Sequence, residues 1–351
     1  MQICAGTYSP ACGPAIHLFR WNTAEHKFIL ADTISGIENP SYLHWHPAGT
    51  LYAMTENKQG SQAQLFSYQI RHGKAKLLNK ISYTGAGSCF IQVDKSQKHA
   101  FISNYGSGTL TVISLPQKTF PAEVVQQLHF RGQGPDPERQ DKAHIHAAVL
   151  SKDERYLYCT DLGSDRIYRF IYQPEATVPL NDDGSPDLVL PPGSGPRHLT
   201  FSICGRWLYM VTELSAEIFV FDTNYWGSAP IQQISLTQTG YSGKLEGADV
   251  QVDANGKFLY ATNRAEVNEV VVFKIQQNGQ LEFIQRIGAA GLSPRNLLIC
   301  EQENLVLVAN ERSNTISIFL RNIDGTLEFT KAQLGLPSPT CVKELVRPAT
   351  I

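Results

Sequence analysis

The chain has 351 residues, 30 Lys and Arg against 32 Asp and Glu, and a hydrophobic content of 42%. This balance supplies no basic field for nucleic acid or an anionic membrane surface, so any recognition of an anion has to be local. Seven scattered cysteines without a CxxC pair, no apolar run near the roughly 20 residues of a membrane span, and a start lacking signal-peptide regions predict reduced thiols in a cytoplasmic protein.

In chain order, 3–8, 16–21 and 27–33 read as strands, and a repeat begins after them. A small start, Pro40-Ser41-Tyr42-Leu43, leads through a strand, a turn and a second strand that ends at Thr55-Glu56. The pattern returns from Ser88 to Asn104-Tyr105, from Ile145 to Asp161-Leu162, and from Pro196 to Thr212-Glu213. It returns again from Gly247 to Asn263-Arg264 and from Pro294 to Asn310-Glu311, and Pro339 opens a seventh copy that the chain end cuts short. Starts lie 45 to 57 residues apart. Strand-like repeats at that period indicate propeller blades rather than a helical solenoid.

Third strands follow as β-branched and aromatic runs at 167–170, 218–221, 270–273 and 316–319, and Asn278-Gly279 and Asp324-Gly325 are turns into outermost strands. Four strands make a blade. The predicted fold is all-β: a seven-bladed β-propeller forming a single domain over 1–351. The C-terminal strand joins the three N-terminal strands in one blade and closes the ring.

Antiparallel pairing brings the start of a first strand and the end of the second to the same mouth of the channel. The residue after each start reads Ser41, Cys89, His146, Arg197, Ala248, Arg295 and Thr340. The residue past each second strand reads Glu56, Tyr105, Leu162, Glu213, Arg264 and Glu311. The mouth should therefore gather His146, Arg197, Arg264, Arg295, Glu56, Glu213 and Glu311, with His144 and His198 beside them. Ionisable groups at this density on a concave surface suggest a ligand site. An ion-pair ring sealing the channel is the structural alternative, but such a ring would sooner repeat one residue type than vary. A polar Gly/Pro-rich insertion at 131–142 enters just before His144, offering Arg139 and Lys142 as a binding edge or lid. No His, Asp, Glu or Cys cluster has metal-ligand spacing, and no cofactor is expected.

Several motifs extend this reading: Asn39-Pro40-Ser41-Tyr42-Leu43, Arg139-Gln140 before His144-Ile145-His146, Asp161-Leu162-Gly163-Ser164-Asp165-Arg166, Gly195-Pro196-Arg197-His198 and Thr212-Glu213-Leu214. With them the chain resembles the seven-bladed lactonase family, which includes propeller-type 6-phosphogluconolactonases and 3-carboxy-cis,cis-muconate lactonizing enzymes. The resemblance runs from Gly6 to Pro339. It implies that His146, Arg197, Glu213 and Arg264 are catalytic, and that a metal is not needed. His144, His198, Arg295, Glu311 and Arg139 are then the expected substrate-binding residues. Thr212 replaces a common Asn, and the fifth blade reads Gly247-Ala248-Asp249 without the usual Arg or His.

The expected activity is hydrolysis of a sugar lactone such as 6-phosphogluconolactone, with cyclisation of a muconate-like dicarboxylate and a non-catalytic binding platform as alternatives. The expected partner is a small anionic lactone or dicarboxylate rather than nucleic acid or membrane, bound by a monomer or weak homo-oligomer.

Overall fold

The computed structural model describes residues 1–25, 27–57, 60, 62–116 and 121–346. Seven antiparallel sheets follow one another around a central channel. Their innermost strands are Leu43–His46, Ser88–Val93, Ile145–Leu150, Pro196–Phe201, Gly247–Val252, Pro294–Cys300 and Pro339–Glu344. The last of these pairs with Gln2–Thr7, which continues to Ile16–Asn22 and Lys27–Ile34, so one blade is built from both ends of the chain as the sequence predicts. Among the described residues the only helical turn is Thr223–Tyr225, and no helix is long and apolar enough to cross a membrane.

The core explains why the inner strands read as almost continuous apolar runs. Seven hydrophobic clusters fill the gaps between neighbouring blades, rather than one side of each sheet. Tyr260, Val270 and Val272 of the fifth blade, for example, meet Leu297, Val306 and Val308 of the sixth. A strand buried on both faces needs apolar residues at successive positions, and Leu305–Asn310 is buried throughout.

Two details depart from the plain repeat. The first blade's inner strand begins at Leu43, three residues after the expected start at Pro40. In the third blade the outermost strand is broken into Leu180–Asp182 and Leu188–Val189, both paired with Arg166–Tyr172.

Candidate active site

A backbone irregularity positions the functional side chains. In the third blade Ile145 faces Asp161 and Ala147 faces Thr160, leaving His146 as an extra residue in the inner strand. The fourth blade does the same with Arg197, between Pro196–Thr212 and His198–Val211. The sixth does it with Arg295, the second with Cys89 and the seventh with Thr340. Such bulges bend a strand and re-aim the extra side chain. The hydroxyl of Thr160 holds two of them, accepting from the Ala147 amide at 3.0 Å and donating to the Arg197 carbonyl at 2.7 Å.

The bulged His146, Arg295 and Cys89 line a cavity of about 510 Å³ at one end of the channel, within the usual size range of small-molecule sites, whereas Arg197 and Thr340 are buried and are not part of its wall. Its wall includes His146, Glu213, Arg264, Arg139, Arg295, Glu311 and Glu56. Glu213 stands at the centre of one side. Arg197 Nε donates to Glu213 Oε2 at 2.8 Å, and the Arg264 guanidinium lies 3.0 Å from the same oxygen. Arg139, reaching in from the 131–142 insertion, pairs with Oε1. His146 Nε2 is 3.8 Å from Oε2, too far for a hydrogen bond.

These contacts set the charge states. Burial alone would raise Glu213, but the guanidinium groups of Arg264, Arg197 and Arg139 outweigh it and hold the carboxyl well below its ordinary range. Burial, reinforced by Arg197 and His198, holds His146 well below 6.5, so the ring is neutral at pH 7. The Arg264 Nε is buried without a hydrogen-bond partner among the described residues. One carboxylate therefore serves three cations, and Arg264 keeps an unpaired buried donor. The opposite wall has the reverse balance. Arg295 packs over the Tyr8 ring, with Glu56 and Glu311 close enough to stabilise its charge, and Tyr8 donates to Glu56 at 3.0 Å.

The placement of two histidines differs from the sequence-based expectation. His144 does not line the cavity: its ring stacks on Tyr105, with its nitrogens at the Tyr105 carbonyl and Asp141. His198 faces a separate, smaller cavity further along the channel and is bonded to Asp249. His198 is turned away by the alternation of a strand, being next to the bulged Arg197, whereas His144 precedes the strand that begins at Ile145 and is held by its own contacts. The 131–142 insertion is also pinned rather than loose. Gln140 is fully buried and donates to the Leu162 carbonyl at 2.9 Å, and the Asp136 carboxylate accepts from the Arg139 amide at 3.0 Å. Lys142 is exposed.

Sequence reasoning missed Tyr8, Glu246, Ser293 and Arg312 on the wall. Tyr8 had a usable signal. It lies just past Gln2–Thr7, the second strand of the blade closed by the two termini, and so completes the series that holds Glu56, Glu213 and Glu311. Glu246 and Ser293 each immediately precede a repeat start.

A family model for "Lactonase, 7-bladed beta-propeller" matches residues 2–344. A 6-phosphogluconolactonase of Formosa agariphila is 32% identical over 320 residues, covering 89% of this chain and 90% of that protein. A 6-phosphogluconolactonase of Bacillus subtilis is 28% identical over 346 residues, with 97% of each covered. The structure of the periplasmic gluconolactonase PpgL of Pseudomonas aeruginosa matches with a TM-score of 0.92 at 28% identity, covering 99% of each chain. The chain belongs to the seven-bladed β-propeller lactonase family.

Proposed function

We propose that the protein hydrolyses an anionic sugar lactone, with 6-phosphogluconolactone as lead substrate and 6-phosphogluconate as product. The observation that carries this reading is the Glu213 carboxylate shared among Arg139, Arg197 and Arg264 beside a neutral His146. Ester hydrolysis needs a group to take a proton from the attacking water, positive charge where the oxyanion develops, and a proton for the leaving alkoxide. Both groups are held below their ordinary values, Glu213 by three cations and His146 by burial, but the imidazole starts from the higher ordinary value and carries a free lone pair at pH 7. In this reading His146 accepts the water proton as the new C–O bond forms. Arg197 and Arg264 meet the oxyanion, and the imidazolium returns its proton to the ring oxygen as the lactone bond breaks. Glu213, 3.8 Å from the ring, offsets the transient imidazolium charge.

Arg139, on the cavity wall, is the candidate to grip the phosphate, because guanidinium groups bind such anions in a bidentate fashion. Arg295, Glu311 and Glu56 would meet sugar hydroxyls. Two glutamates on that wall disfavour a second carboxylate, which weighs against a muconate-like dicarboxylate. Gluconolactone without phosphate is the second reading, favoured by the likeness to PpgL.

The test is acid release from freshly generated 6-phosphogluconolactone against its spontaneous rate, with gluconolactone in parallel. Acceleration confined to the phosphorylated lactone supports the lead reading, and acceleration of gluconolactone alone supports the second. No acceleration of either rejects lactone hydrolysis of this class.

A further inference from the structure

The fifth blade puts Ala248 where its neighbours put Arg197 and Arg295, and the residue after it is Asp249. The hydrolytic scheme above does not use this carboxylate, yet it is buried and fully engaged. Its Oδ1 is 2.8 Å from His198 Nδ1. Its Oδ2 accepts from Asn296 Nδ2 at 2.6 Å and from the Leu297 amide at 3.1 Å, and Gln251 Nε2 lies 3.3 Å away. Asn296 in turn accepts from the Val342 amide at 2.8 Å, so one line of hydrogen bonds crosses four blades.

At its other end the line reaches the site. His198 Nε2 lies 3.2 Å from Arg197 Nη1, while Arg197 Nε donates to Glu213 and Nη1 also donates to the Ala248 carbonyl at 2.7 Å. A guanidinium has five N–H donors and no acceptor. The Arg197–His198 contact is therefore a hydrogen bond only if His198 Nε2 carries a lone pair. The single proton of a neutral ring then sits on Nδ1, where Asp249 accepts it. Burial, with Arg197 beside it, lowers His198 to about 4, so the ring stays neutral at ordinary pH. Lys343 also favours the uncharged form, and the neutral His146 ring lies 5.2 Å away.

We infer that His198 and Asp249 are positioning residues that fix the plane of the Arg197 guanidinium: Asp249 selects the tautomer of His198, and His198 Nε2 accepts from Arg197. This rests on the proposed role of Arg197 at the oxyanion. With three of its N–H groups spent on Glu213, Ala248 and His198, Arg197 keeps its second amino group, which has no hydrogen-bond partner among the described residues, for a ligand.

Two sets of variants test the inference. In Asp249→Asn the amide can donate to Nδ1, moving the ring proton to Nε2 against the Arg197 donor. The expected result is a fall in kcat of about 10–100-fold, the size seen when a partner fixing a histidine tautomer is removed at metal sites, with a smaller change in KM and unchanged circular dichroism. His198→Gln, whose carbonyl can accept from Arg197, should keep kcat within a few-fold of wild type, whereas His198→Leu should not. Nitrogen-15 spectra of labelled histidine should show His198 protonated at Nδ1 and bare at Nε2 in wild type, and the reverse in Asp249→Asn. A wild-type ring protonated at Nε2, or equal activity of His198→Gln and His198→Leu, overturns the inference. If wild type fails to hydrolyse either lactone, the reading of the reaction falls, and the nitrogen spectra still decide the tautomer.

Discussion

Glu213 and His146 occupy the same wall of the cavity, but the energetics of replacing them differ. Removing one partner of a buried ion pair leaves the other uncompensated and typically costs about 3–5 kcal/mol. Glu213 has three such partners. Among the described residues the His146 ring makes no tight hydrogen bond, lying 3.8 Å from Glu213 and 3.9 Å from the Cys89 sulfur. Glu213→Gln should therefore lose both turnover and several degrees of melting temperature. His146→Gln should lose activity by about 10²–10⁴-fold, the usual contribution of an acid–base group, with stability within about 1 kcal/mol of wild type. Paired kcat and calorimetric measurements check this; a large melting shift in His146→Gln would make that residue structural. The identities of these residues were legible from the repeat. The roles proposed for them were not, because only their neighbours distinguish a carboxylate held ionised from an imidazole held neutral.

At the level of the strand, the sequence located every inner-strand start but that of the first blade, and none of the bulges. A bulge leaves the run of apolar residues intact and shifts only the pairing, so 145–150 or 196–201 looks like any other inner strand. That blind spot also explains why His198 was placed beside Arg197, when one residue's offset turns a side chain away from the mouth. Adjacent blades touch through backbone at the same level. A Cβ on Gly247 would lie 2.2 Å from the Thr212 carbonyl oxygen, and the Gly247 amide donates to the Glu213 carbonyl at 3.0 Å. Gly247→Ala should push the strand end that carries Glu213, costing about 1–3 kcal/mol as an overpacked contact and lowering kcat. Gly288→Ala is the control, since nothing lies within 4 Å of its Cβ position. Equal melting temperatures and rates for the two variants would show that the blade contact yields without moving the site.

Over the whole ring, seven starts at a nearly constant period specified the blade number, and the truncated last copy specified the closure. The broken outermost strand at 180–189 was not legible, because outer strands contribute least to the gaps between blades and carry the weakest pattern. The same closed ring buries His146 and His198 and half-buries His44 along its channel, which links function to acid sensitivity. Burial is the largest cause in each case: it lowers His198 to about 4 and His44 to about 3, and holds His146 well below 6.5. In the unfolded chain each ring titrates near its ordinary value of about 6.5. A folded value below the unfolded one means that, as pH falls through about 6.5, the unfolded state binds protons that the folded state refuses. Stability is then lost by up to about 1.4 kcal/mol per pH unit for each histidine, continuing until the folded value is reached. Glu213 and Asp249 do not offset this, since their depressed values give stability that persists until the pH falls through the unfolded carboxylate range near 4. Calorimetric melting temperatures should change little from pH 7.5 to 6.5 and then drop steeply towards pH 4.5. His44→Gln, which removes one of these rings, should lessen that drop, since His17, His46 and His99 are lowered as well. A melting temperature that stays level across pH 6.5 to 4.5 would mean that the channel histidines accept protons in the folded ring, and would remove the argument for His146 as a neutral base.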